Sequence, residues 1–260
     1  MQKNIDFLTF IPQRESSWTF FIKGKARKLS NEYMEILEIT KKFFEIIDGF
    51  FIPTSMKYVL RIESHDIHVN EAFKTLGRKI NPIKVSQRFF ESDHGLTYND
   101  FYKDASSFNF PEGSVRYIGR IQITGGKTKI ILEDNDEYID RNSKGLYAYC
   151  GLEDTLDFQE LYGQQSLDDP LIIDISHSPS KGGNQYAGID DPAYYTIVFD
   201  TYTDIWFDNS TIGLANRRRL HNVFKRINDN FEVAHTFVLS DWYAEEELME
   251  IVNQESPDIK

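Results

Sequence analysis

His65-Asp66-Ile67-His68 is the densest group of reactive side chains in the chain, two imidazoles and a carboxylate within four residues. On a helix, histidines at i, i+3 could share a metal. The zinc-protease pattern, however, needs i, i+4 histidines with an adjacent Glu, and no third ligand is indicated. The pair therefore reads as a capping or surface feature, and no metal site is expected. Asp93-His94 is the second arrangement, a carboxylate beside an imidazole that it could orient as a general base. A hydrolase needs a nucleophile and an oxyanion site as well, and spacing marks neither. Cys150, the one cysteine, lies between Tyr149 and Gly151 and reads as a buried structural thiol, with His177 and His221 available only in principle. Gly125-Gly126-Lys127-Thr128 ends like a phosphate-binding loop. Ile121 stands where the Walker arrangement requires its first Gly, and Lys129-Ile130-Ile131-Leu132 continues as strand, so no nucleotide and no cofactor are expected.

Charge points away from nucleic acid. The formal net charge is −12, which repels phosphate backbones and attracts basic partners over a Debye length of roughly 8 Å. Arg217-Arg218-Arg219 is the only dense basic run. On a helix its three side chains fan over about 200° of arc, so pairing with acidic neighbours is the expected use. The acidic runs Glu133-Asp134, Asp136-Glu137, Asp140 and Glu153-Asp154, Asp157 read as solvated loops or as a docking surface for a cationic partner, without the spacing of a calcium loop.

These residues must be positioned by a chain of 260 residues, long enough to bury a core without disulfides or metal. Its 20 Phe and 14 Tyr make that core aromatic-rich. No stretch approaches the roughly 20 apolar residues of a membrane helix; Phe43 to Ile52 is interrupted by Glu45, Asp48 and Gly49. Met1-Gln2-Lys3-Asn4 lacks the basic-then-apolar pattern of a secretory signal. With a single cysteine, this fits a protein of the cytoplasm that engages no membrane.

Periodicity supplies the elements. Ile5 to Ile11 and Trp18 to Ile22 read as neighbouring strands. Asn31 to Ile47 is an amphipathic helix, with Tyr33, Ile36, Leu37, Thr40, Phe43, Phe44 and Ile47 on one face and Ser30 as its cap. Met56 to Ile62 alternates as a strand, and Val69 to Leu76 could form a short helix. Residues 91–114 show no strong period and read as a long loop and a binding edge. Val115 to Ile123 and Lys127 to Leu132 flank Thr124-Gly125-Gly126 as a β-hairpin. Leu146 to Cys150 and Leu171 to Ile175 read as strands, residues 176–191 as a loop, and Tyr194 to Phe207 as a long strand. A helix follows with Leu214, Leu220, Val223, Phe224 and Ile227 inward, then a strand from Phe231 to Leu239 and a helix from Asp241 to Val252 capped by Ser240. The expected fold is α+β, a mostly antiparallel sheet with hairpins and three or more amphipathic helices packed on it. It forms a single domain over residues 1–260, with 145–170 as the place where two lobes would divide.

Tyr202-Thr203-Asp204-Ile205-Trp206-Phe207, followed by Asn216, Arg219-Leu220 and Ile227, looks like a pattern found in uncharacterised bacterial proteins, a strand ending in Asp and Trp before a helix. More broadly the chain resembles the immunity proteins of bacterial polymorphic toxin systems, being acidic, α+β and without a catalytic signature. The resemblance implies a cognate toxin neutralised by tight binding over its active site, and it transfers no contact residue.

The expected function is thus a non-enzymatic inhibitor, a toxin-immunity protein, facing a toxin with a basic surface. The loops at 91–114 and 176–193 offer aromatic anchors beside carboxylates: Phe101, Tyr102, Phe108 and Tyr186 with Asp93, Asp100, Asp104 and Asp190. The alternative is a hydrolase-type enzyme assembled from His65, His68, Asp93 or His94. A deep pocket gathering two or more of these would favour it.

Overall fold

Trp18, Phe20 and Ile22 alternate with Thr19, Phe21 and Lys23, and this period of two commits Ser16–Lys23 to a strand, β1, with one face buried. The computed structural model describes residues 16–25, 29–64, 84–107, 114–132, 135–138, 171–178, 194–201, 206–207, 209, 211–240 and 243–253. Helix α1 (Leu29–Ile47) follows β1, then strands β2 (Phe51–Ser64) and β3 (Lys84–Glu91) and helix α2 (Tyr98–Ser106). Next come strands β4 (Ser114–Leu132), β5 (Asn135–Tyr138), β6 (Ile172–Ser178) and β7 (Tyr194–Thr201). Helix α3 (Thr211–Asn230), strand β8 (Val233–Ser240) and helix α4 (Glu245–Asn253) complete the order. Seven strands make one sheet in the order β3-β2-β4-β6-β7-β1-β8, every neighbouring pair antiparallel, and β5 pairs with β4 off that path. The fold is α+β.

Register explains why one face of the sheet is the core. Cross-strand partners run Trp18–Phe199–Ile173–Ile123–Met56 across five strands, and none of these side chains is exposed to solvent. The helices cover this face. Phe43 of α1 and Phe224 of α3 meet Phe199 at centroid distances of 5.9 and 5.1 Å, and the Trp18 indole N–H donates to the Leu248 carbonyl of α4. The α1 face is the one expected from its spacing, with Tyr33, Ile36, Leu37, Thr40, Phe43 and Ile47 buried. On α3 the buried line is Leu220, Val223, Phe224 and Ile227, while Leu214, expected inside, is 45% exposed. No helix among the described residues is long and apolar enough to cross a membrane.

Several local expectations are corrected. The hairpin at Thr124-Gly125-Gly126 does not form: β4 is one continuous 19-residue strand through it. Gly126 serves packing, because the Phe51 ring lies where its side chain would be. Irregular pairing at Thr54 to Met56 lets the long strand bend there, and the Ser55 and Thr124 hydroxyls hydrogen-bond across the bend at 2.8 Å. Helix α1 starts at Leu29, placing Ser30 inside it. Ser240 accepts from the Tyr243 backbone N–H at 3.2 Å, whereas α4 begins only at Glu245, where the Glu247 carboxylate accepts from the Ala244 N–H. Strand β7 is described over Tyr194–Thr201; Trp206 and Phe207, expected at its end, are not strand, and residues 202–205 lie outside the described residues. The expected strands at Ile5 to Ile11 and Leu146 to Cys150, the helix at Val69 to Leu76 and the division at 145–170 lie outside the described residues.

Candidate binding surface

The segment expected to be a loop builds most of the surface. Thr97 and Asp100 form a reciprocal capping box, the Asp100 carboxylate accepting from the Thr97 backbone N–H at 2.8 Å and the Thr97 hydroxyl accepting from the Asp100 N–H at 3.3 Å. This starts α2 within residues 91–114, which is a correction to the loop reading. Phe101 and Ala105 then face inward, and Tyr98 and Tyr102 stand one turn apart with ring centroids 5.8 Å apart. Phe101, expected as an exposed anchor, is 0% exposed and meets the Tyr58 ring edge at 5.3 Å. It belongs to the core. Tyr102 is 42% exposed.

The carboxylates divide in the same way. Asp104 binds the Arg88 guanidinium at 2.6 Å and accepts from the Tyr58 hydroxyl at 2.6 Å, tying α2 to β2 and β3. The Arg88 hydrogen bond, aided by Tyr58, holds the Asp104 carboxyl below its ordinary range, while burial, with Asp104 alongside, pushes the Tyr58 phenol well up. The Thr97 backbone N–H likewise lowers Asp100. Tyr98 is pushed up to about 12, first by burial and then by Tyr102. Asp93 and Asp100 are exposed, although Asp100 is committed to its cap. Phe108, Tyr186 and Asp190, together with His65, His68 and Cys150, lie outside the described residues.

Beside α2 lies a cleft of about 530 Å³. One wall is the C-terminal part of α1, with Phe44, Glu45 and Asp48, and the other is the turn His94-Gly95-Leu96. That turn is pinned to β2 by hydrogen bonds from Ser92 N–H to the Thr54 carbonyl and from Leu96 N–H to the Pro53 carbonyl. Gly95 is required there, since its φ is +94° and a Cβ would lie 2.6 Å from Ile52. His94 lines the cleft but is exposed, and it is not gathered with another histidine among the described residues. The cleft thus has an apolar floor around Phe44, Phe51 and Leu96, and its exposed charged lining is two carboxylates, Glu45 and Asp48, and one ammonium, Lys41. No protein-family model, curated protein or solved structure matches this chain.

One buried pair between a helix and the sheet was not indicated by sequence spacing. Glu32 of α1 and His177 of β6 meet at 2.7 Å with side chains 0% and 1% exposed. Tyr195 of β7 stacks on the imidazole at 5.0 Å and donates to the Glu35 carboxylate at 2.9 Å; burial, then Glu35, raises its pKa strongly. A dyad closed to solvent cannot meet a substrate, so it is an internal clamp between α1 and the sheet. On the other sheet face Arg120 pairs with the nearly buried Asp174, and burial raises Asp200 nearby. Of the residues in the bacterial sequence pattern, Trp206, Asn216, Leu220 and Ile227 are each 0% exposed, Phe207 and Arg219 are half-buried, and Tyr202 to Ile205 lie outside the described residues. Arg217 donates to the backbone carbonyls of Trp206 and Phe207, both at 2.9 Å. Among the described residues no three His, Cys, Asp or Glu side chains converge to hold a metal ion.

Proposed function

We propose that the protein is a non-enzymatic binding protein that docks a basic protein partner on the α1–α2 edge, and that its most specific role is that of an immunity protein occluding a cognate toxin. The supporting observation is the cleft itself, an apolar floor whose charged lining of Glu45, Asp48 and Lys41 is net acidic, with the exposed ring of Tyr102 and the exposed carboxylate of Asp93 on the neighbouring segment. An aromatic anchor beside carboxylates suits a cationic surface: the ring supplies buried area, and the charges steer the encounter. The acidity of the whole chain acts in the same direction.

The test is co-expression of the full chain with the product of the neighbouring reading frame, followed by co-purification and rescue of growth. Tyr102→Ala together with Glu45→Lys and Asp93→Lys should weaken the complex by about tenfold or more, as loss of a central anchor does. Asp100 is avoided, because replacing it also removes the α2 cap. Unchanged affinity in a folded triple variant would place the interface elsewhere. Turnover of a substrate by the isolated chain would replace the whole reading with an enzyme.

A further inference from the structure

Strand β8 ends the sheet: it pairs with β1 and with no second strand among the described residues. An edge strand of this kind turns alternate N–H and C=O groups away from its one partner, a template for another strand. Edges are usually blunted by charged side chains or proline, and β3, at the other end of the sheet, carries Lys84, Arg88 and Glu91. β8 has no such guard. Its eight residues, Val233-Ala234-His235-Thr236-Phe237-Val238-Leu239-Ser240, include no Asp, Glu, Lys, Arg or Pro in a chain of net charge −12. Val238 turns to the core opposite Trp18, whereas Phe237 and Leu239, on the sheet face away from the helices, are 47% and 56% exposed. The register irregularity against β1 falls between Val233 and His235, which leaves 235–240 in regular alternation.

We propose that β8 pairs antiparallel with β8 of a second copy of this chain, joining the two sheets edge to edge. Charge selects this occupant. A basic partner finds no carboxylate on β8, whereas two copies that each carry −12 can pair strands only where like charges do not stand opposite one another, and a neutral strand meets that condition. Register permits it as well. A two-fold axis beside any residue of β8 sets odd-numbered positions opposite odd ones, so Phe237 and Leu239 of both copies fall on the same face and cover one another. A stable complex buries about 800 Å² per partner, more than one pair of short strands supplies, so the dimer is a reversible one of roughly micromolar affinity or weaker. No residue of β8 lines the docking cleft, and β8 lies at the far end of the sheet from β3, to which Asp104 ties α2. Each copy therefore keeps its docking edge, and the pairing stands whether or not a protein partner exists.

Sedimentation equilibrium of the full chain, from about 1 μM to about 1 mM and at low and high salt, tests it. A monomer–dimer equilibrium is expected that strengthens with salt, because salt screens the repulsion between the acidic remainders of the two copies, Glu245, Glu246, Glu247 and Glu250 of α4 among them. Phe237→Lys and Leu239→Lys should each weaken the dimer about tenfold or more, since each removes an apolar contact and brings like charges together at the axis. Both positions are exposed, so the urea midpoints of these variants should stay near that of the native chain. Phe89→Lys, at a 59% exposed position on β3, should leave the dimer unchanged. A monomer throughout the range would overturn the assignment and leave the edge to a strand of another protein. A dimer that salt dissociates, or one that Phe89→Lys weakens and Phe237→Lys does not, would overturn it in favour of a different surface.

Discussion

Gly126→Ala isolates the reason β4 passes through a Gly-Gly pair without turning. A Cβ on Gly126 would lie 2.5 Å from Cε1 and 2.8 Å from Cε2 of Phe51, and closer still to Cζ, of a ring that is itself only 2% exposed. Overpacking of this kind costs about 1–3 kcal/mol, and the crowding places it near the top of that range. Gly126 does not have a positive φ, so alanine also recovers roughly 0.5–1 kcal/mol of strand preference. The net loss is therefore about 2 kcal/mol. In urea, with a slope of about 3 kcal/mol/M, the midpoint should fall by roughly 0.7 M. Phe51→Leu opens the space, and in the double variant the two losses should fail to add by about 1–2 kcal/mol. Strict additivity, or an alanine variant as stable as the native chain, would mean that the ring does not sit on Gly126. A turn glycine would behave differently, its loss persisting whatever residue occupied position 51.

Three other outcomes follow from the polar contacts. Glu32→Leu should cost about 1–3 kcal/mol by stranding the buried His177 ring nitrogens, and adding His177→Phe should restore most of it, because an apolar pair of similar volume replaces a buried polar one with little loss; urea unfolding of the two single variants and the double variant measures this, and additive losses would count against the contact. Asp104 is held below its ordinary value by Arg88, so its contribution is present above the unfolded-state value of about 3.9 and is lost as pH falls through the lower folded value. Asp104→Asn should flatten the acid limb of the urea midpoint below that pH, while Asp200, raised by burial, keeps its opposite contribution in both proteins; an unchanged slope would count against the Arg88 pairing. Thr97→Ala should lower stability by about 1 kcal/mol through loss of the α2 cap, read from the same denaturation curves, and no loss would mean that α2 does not depend on its capping box.

Helices α1 and α3 were legible because their apolar residues recur at 3.6 over five turns, enough repeats for burial to dominate every other preference. Strands β1, β6, β7 and β8 were legible for the corresponding reason, short apolar runs between polar breaks. Gly125-Gly126 misled because glycine permits two different things, a positive φ and a close approach, and only a residue far away in sequence decides between them. Phe51 is that residue. Helix α2 was hidden by its composition: Tyr98, Asn99, Asp100, Lys103 and Ser106 outweigh Phe101 and Ala105 in any hydropathy average. The signal that could have found it was the spacing of Thr97 and Asp100, a capping box directly ahead of an i, i+3 aromatic pair.

The surface residues show a deeper limit. Phe101, Tyr102, Asp100 and Asp104 look alike in sequence, aromatics and carboxylates within five positions, yet helical geometry gives each a different fate. Phe101 points to the core, Asp104 to Arg88 and Tyr58, Asp100 back to its own cap, and Tyr102 alone stays outward. A carboxylate already satisfied by an N-cap or a guanidinium has less to offer a partner, because docking would have to break a charge-assisted bond to make another. Acidic character counted over the whole chain therefore overstates the acidity available for recognition. On the α1–α2 edge it resides in exposed residues at the cleft such as Glu45 and Asp48.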